Sequence, residues 1–145
     1  MSSTTLDIAA LKVGDALPER SHTPSNVTLF LYNAAVWNPH RIHYDETYTT
    51  QVENHPGIVI DGPLQGDWLA QCVTNWIADH LDDRGVLERF EYSNRRATYL
   101  GETLVSGGQI TAIDAAQRLI SVALFVRSAA GEVTSPGAAT VRLPA

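Results

Sequence analysis

The chain of 145 residues contains a single cysteine, Cys72, so no internal disulfide can form. That scarcity suits a reducing cytoplasm, which is the expected location. Basic residues are also few: ten Lys and Arg stand against sixteen Asp and Glu, giving a formal net charge of -6, and they form no long run. This argues against a basic surface for nucleic acid, whose binding is dominated by phosphate neutralisation. A small anionic ligand needs only a few local cations and stays compatible with the composition. No apolar run approaches the length of a membrane span. The start, MSSTTLDIAALKVGD, lacks the basic head and apolar block of a secretory signal. Internal repeats and low-complexity segments are missing too. What remains is an apolar content of 44%, ordinary for a packed core. The length fits one domain, residues 1–145, in which residues 1–26, with Pro18 and Pro24, read as a lead-in carrying at most a short edge strand.

Pattern along the rest of the chain predicts an α+β arrangement. NVTLFLYNAA (26–35) is rich in β-formers, with Val27, Leu29 and Leu31 on one side of a period of two, and reads as a strand. Asp45 is a good N-cap, and a short helix of about two turns should follow it to near Asn54. Ile58 to Ile60 reads as a buried extended piece. Leu64, Trp68, Leu69, Cys72, Val73, Trp76, Ile77 and Leu81 then recur at three- and four-residue steps, the mark of a long amphipathic helix. Pro63 suits its first turn and the DDRG run should stop it at the glycine. From residue 86 the period shifts to two, with strands around VLERFEYSNRRA, ETLVSGGQITAI, RLISVALFVRS and ATVRL. The glycine pair in the second suggests a bulge or bend, and AAGE a hairpin turn. The helix's apolar face is too wide for a flat sheet, so the sheet must wrap it.

The most polar loop is NPHRIHYDETY (38–48). His43 can serve as an acid or base because its ordinary pKa lies near working pH. Asn38 before Pro39 suits a turn start as well as a catalytic amide. His40, His43 and Asp45 are spaced too loosely for a metal site, and no metal is expected. Asp61 fits a hydrogen bond to backbone at the helix start. Trp68 and Trp76 fit the core or a dimer face, Cys72 is inert on the apolar helix face, and Arg95 and Arg96 suit a solvated strand end.

Two segments carry a family resemblance. WNPHRIHYDETY (37–48) is similar to the hydratase motif of the MaoC-like (R)-specific hydratases and dehydratases of acyl thioesters, and GIVIDGPLQGDWLA (57–70) is similar to the start of their central helix. The chain therefore resembles the hot-dog fold, a long central helix wrapped by a curved antiparallel sheet. Within it, the chain resembles the branch with HRIHYD and GPL, which includes 3-hydroxyacyl-thioester dehydratases and mesaconyl-CoA hydratase-like proteins. Two positions depart from the common motif. The residue five before His43 is Asn38 where an Asp is usual, and the usual His-Gly before the helix is Asp61-Gly62.

The resemblance implies a hydro-lyase acting across Cα–Cβ of an acyl thioester of coenzyme A or acyl carrier protein, with no separate cofactor. His43 would be the general acid and base, and Asn38 would orient the water or hydroxyl. Gly62, with Leu64, would polarise the thioester carbonyl through backbone N–H groups, and Gly62 would admit the substrate close to the backbone. Asp61 could supply the missing carboxylate, and His40 could orient either partner. Arg41, Arg95 and Arg96 could meet coenzyme A phosphates, and a homodimer or larger assembly is expected. Two rivals stand beside this reading: a hot-dog thioesterase using Asp61 or Asp67, and a non-catalytic subunit that supports an active partner.

Overall fold

The apolar period from Leu64 to Leu81 forms one long helix, α3 (Gly62–Leu81), whose eight predicted core residues are all buried. It touches every strand of a single five-stranded antiparallel sheet, so the sheet does wrap it. The computed structural model describes residues 10–144. Residues 1–9, most of the segment read against a secretory signal and the first part of the lead-in, lie outside the described residues. Chain order is β1 (Ala16–His22), α1 (Asn26–Val36), a short 3-10 turn (Arg41–His43), α2 (Glu46–Gln51), α3, β2 (Val86–Tyr92), β3 (Leu104–Asp114), β4 (Leu119–Ser128) and β5 (Val133–Arg142). The sheet order is β1-β3-β4-β5-β2, so the last three strands form the expected meander and β1 and β2 are the edges. Among the described residues no helix is long and apolar enough to cross a membrane.

One element differs in kind from its sequence reading. Residues 26–36 are a helix, not a strand. Ser25 caps it: its Oγ accepts from Thr28 N at 3.1 Å, and Thr28 Oγ1 accepts from Ser25 N at 3.4 Å. This reciprocal pair satisfies donors that otherwise have no partner, and it outweighs the β-propensity of the segment. Only Leu29 and Asn33 of α1 are buried, four residues apart on one helical face. The helix ends where Trp37 turns left-handed at φ 57°.

Smaller differences concern how elements stop. α3 ends at Asp82 (φ 50°), with Asp83 also left-handed (φ 57°), rather than at Gly85. Asp tolerates this region better than most side chains. α2 stops at Gln51, before the left-handed Asn54. The β3–β4 irregularity falls between Ile110 and Ala112, beyond the glycine pair. Gly107 and Gly108 instead permit close packing: a Cβ there would lie 2.7 Å from Phe125 Cζ and 2.8 Å from Leu124 Cδ2. The hairpin after β4 turns on Gly131 (φ 87°), as AAGE implies.

β1 is tied to the core by a ring stack. His22 lies parallel to Trp68 with centroids 4.1 Å apart, and its Nε2 is 2.9 Å from Ser106 Oγ. Burial, and secondarily the Arg20 charge, push the His22 pKa below its ordinary 6.5. The fold thus disfavours the imidazolium relative to the unfolded chain. Its stabilising contribution is complete above the unfolded value and is lost as pH falls below it. His22→Phe keeps the stack but cannot titrate. Thermal melts should therefore show a smaller drop in Tm between about pH 7 and about pH 5 in this variant than in the wild type.

Candidate functional site

Side chains from one stretch of chain, residues 33–43, and from Asp61 converge at the start of α3. The 3-10 turn supplies His43, the end of α1 and its following loop supply Asn33 and Asn38, and the residue before α3 supplies Asp61. Asp45 caps α2 as predicted, its Oδ1 accepting from Tyr48 N at 2.9 Å, which fixes the far end of the loop. The buried piece Ile58–Ile60 is held on two sides. Val59 N donates to Ile42 O at 3.0 Å, and Ile60 N donates to Thr98 O at 2.8 Å.

This framework sets the tautomer and direction of His43. Its Nδ1 is 2.8 Å from the Val59 carbonyl, which can only accept, so Nδ1 carries the proton. Nε2 then faces Asp61 Oδ1 at 3.5 Å. Both side chains are buried. Asp61 makes no side-chain cap of α3, contrary to the expectation of a hydrogen bond to backbone there. Its carboxylate is instead gripped by two amides: Asn38 Nδ2 donates to Oδ1 at 3.1 Å, and Asn33 Nδ2 donates to Oδ2 at 3.0 Å. Burial raises the Asp61 pKa above the usual carboxylate range, while His43 and the two amides pull the other way. A buried acid and an imidazole nitrogen that face each other in this manner can exchange a proton with a group placed between them.

The other predicted site residues are distributed as follows. Asn38 uses its oxygen to accept from His40 N at 3.1 Å, so it both starts the turn and reaches Asp61. His40 is exposed, with its ring edge-on to His43 at 5.8 Å between centroids. The amides of Gly62 and Leu64 lie ahead of Gln65 N, which closes on Asp61 O at 3.3 Å, and Pro63 between them has no N–H. Gly62 does permit a close approach, but by a protein group. A Cβ on it would fall 2.1 Å from Asn94 Nδ2. Arg41 is committed to Asp45 (2.6 Å) and lies over the Tyr48 ring. Arg96 is paired with Glu102 at 3.1 Å and Glu132 at 3.0 Å. Arg95 has no ion-pair partner among the described residues, and it lines a cleft of about 300 Å³ with His43, Gly62, Gln65 and Asn94. A second, apolar cavity of about 230 Å³ lies on the Asn33–Asn38 side, walled by Phe30, Trp37, Pro39 and Tyr44.

Asn33 was not legible as a site residue because the strand reading put no weight on its helical spacing. The signal was present: Ser25 and Thr28 spell a capping box, and Leu29 and Asn33 then share a face. Asn94 had no signal, since only the fold lays it over Gly62.

The chain has relatives among known proteins. Residues 9–100 match the family model for hydroxyacyl-thioester dehydratase type 2. A stretch of 51 residues is 41% identical to the mitochondrial hydroxyacyl-thioester dehydratase type 2 of Schizosaccharomyces pombe, covering 34% of this chain and 17% of that protein. A stretch of 52 residues is 44% identical to the mesaconyl-C(4)-CoA hydratase of Chloroflexus aurantiacus, covering 36% of this chain and 18% of that protein. The matched stretches thus span less than a fifth of either relative. Among solved structures, a MaoC-like dehydratase superposes with a TM-score of 0.82 at 21% identity over 96% of this chain and 42% of that one. An R-hydratase from Pseudomonas aeruginosa superposes with a TM-score of 0.80 at 19% identity, over 97% and 86% of the two chains. The fold is the hot-dog fold, and the chain belongs to the hydroxyacyl-thioester dehydratase type 2 family.

Proposed function

We propose that the protein is a hydro-lyase that adds or removes water across the Cα–Cβ bond of an acyl thioester. The observation that carries this reading is the buried pair of His43 Nε2 and Asp61 Oδ1, 3.5 Å apart at the start of α3. The gap is too long for a direct hydrogen bond and suits one oxygen atom bonded to both groups from the side. In hydration, the pair takes a proton from the water as its oxygen bonds to Cβ. Charge develops on the thioester oxygen, and the pair returns a proton to Cα. Dehydration is the reverse. The developing oxyanion would lie at the start of α3, where the Gly62 amide and the helix dipole favour negative charge.

In this reading Asn33 and Asn38 hold the carboxylate that the common motif places five residues before the histidine. Asp61 takes that role from the other side of the site. The cleft with Arg95 suits the carrier arm of the thioester, with Arg95 as its phosphate contact, and the apolar cavity suits the acyl chain. The chemistry needs no metal or organic cofactor beyond the carrier. β1 and β2 each pair on one side only, and we infer a homodimer or larger assembly that shields these edges. The single buried Cys72 suits a reducing compartment such as the cytoplasm. The thioesterase reading is less well supported, since Asp67 is engaged by Tyr32 Oη at 2.8 Å and Asp61 is aimed at His43.

Incubation with crotonyl-CoA and with a saturated acyl-CoA tests the proposal. Loss of the enoyl absorbance with the thioester intact is expected. Release of free thiol from the saturated ester would reject it in favour of thioester hydrolysis. An inert chain that becomes active only with a second hot-dog protein would make it a supporting subunit.

A further inference from the structure

We propose that Asn94 is a substrate-binding residue of this site, its side-chain amide donating to the thioester carbonyl oxygen beside the Gly62 N–H. The inference rests on the acyl-thioester reading and adds to it a residue outside the family-like motifs.

Asn94 follows β2 in an irregular segment that is nevertheless pinned. Ser93 N donates to Pro136 O at 3.0 Å, and Arg95 N donates to Thr134 O at 2.9 Å. The side chain between these bonds lies against the first residue of α3. A Cβ on Gly62 would come within 2.1 Å of Asn94 Nδ2 and 2.8 Å of its Cγ, so only glycine there lets the amide take this place. The amide oxygen is anchored from below. Ser135 Oγ is 2.8 Å from Asn94 Oδ1 and also 2.8 Å from Gln65 Oε1. Ser135 and Gln65 are both buried.

A proton count assigns the orientation. A hydroxyl has one proton to give. Thr134 Oγ1 lies 3.2 Å from both Gln65 Oε1 and Val126 O; given to Gln65, its proton satisfies that oxygen, while Gln65 Nε2 donates to Thr98 Oγ1 at 3.0 Å. The Ser135 proton is then free for Asn94 Oδ1. The Asn94 NH2 is left on the helix side with no partner among the described residues, in the cleft it shares with His43, Gly62 and Arg95.

That position answers a deficiency in the helix start. Oxyanion sites draw their strength from donors fixed in advance around the developing charge. Here Pro63 interrupts the run of backbone amides after Gly62. Asn94 Nδ2 supplies the donor that Pro63 lacks.

The test uses the full chain with two variants, Asn94→Ala and the isosteric Asn94→Asp, which removes both donors. Crotonyl-CoA hydration is followed together with the absorption of bound hexadienoyl-CoA, whose band moves to the red when its carbonyl is polarised. Both variants should lose about 10²-fold in kcat and lose most of the red shift, with Tm near that of the wild type because Asn94 is exposed. Turnover and red shift indistinguishable from wild type in both variants would overturn the proposal and leave the hydro-lyase reading standing. A lowered Tm with the full red shift would assign Asn94 to the fold alone and also overturn it. A wild-type chain that neither hydrates crotonyl-CoA nor shifts the probe would overturn the hydro-lyase reading and this inference together.

Discussion

Replacing His43 by alanine is expected to lower enoyl-thioester hydration by about 10²–10⁴-fold, the range for losing a positioned acid or base. The loss should fall on kcat, because Nε2 faces the Asp61 carboxylate and not a surface that only binds. The fold should survive at some cost. The imidazole hydrogen bond to Val59 O disappears, and a buried carbonyl without its donor costs about 1–3 kcal/mol. Circular dichroism and a urea titration separate that cost from the kinetic effect. His43→Gln can in principle restore a donor toward Val59, so it should recover part of the stability and none of the turnover. Wild-type rates in His43→Ala would remove the residue from the chemistry.

Asp61→Asn should produce a loss of similar size, about 10²–10⁴-fold in kcat, with an opposite signature in stability. Burial raises the Asp61 pKa, so the folded protein binds the proton more readily than the unfolded chain does. Above the folded pKa the buried charge therefore opposes folding, and stability from this group increases as pH falls through that value. Removing the charge eliminates this penalty at neutral pH. The new amide can keep its oxygen on Asn33 Nδ2, which also donates to Leu29 O at 2.7 Å, and turn its NH2 toward His43 Nε2. Tm at neutral pH should thus be equal to or above wild type while activity is lost. The acid limb of the wild-type pH–rate profile should lie above the ordinary Asp value, because burial raises the Asp61 pKa. A variant that is destabilised at neutral pH yet fully active would contradict both parts of this account.

The joint behaviour of these variants bears on why the motif departs from its common form. At position 38 an amide replaces the usual acid. An amide cannot take a proton, but it can hold a carboxylate, and Asn38 Nδ2 does so at 3.1 Å from Asp61. A carboxylate stands instead at the residue ahead of the glycine that opens α3, and Asn38 of the loop holds it.

Much of the architecture was legible because its signals are local and periodic. The core face of α3, the meander of β3 to β5, the Asp45 cap and the Gly131 hairpin follow from spacing and from backbone chemistry that no distant contact overrides. α1 was misread because its apolar residues match neither template well: Val27, Phe30, Leu31 and Val36 all stay exposed. With one helical turn's worth of burial, the capping pair of Ser25 and Thr28 decides the outcome. The sequence by itself determined the fold class and singled out His43 as the candidate to test. Only the tertiary structure decided which carboxylate stands opposite that histidine and which amides hold it. Asn38 and His43 share one loop motif, but no sequence spacing encodes their meeting with Asn33 of α1 and Asp61. It depends on how α1, the 3-10 turn and the start of α3 pack around one buried charge, which must find its donors there because water is excluded.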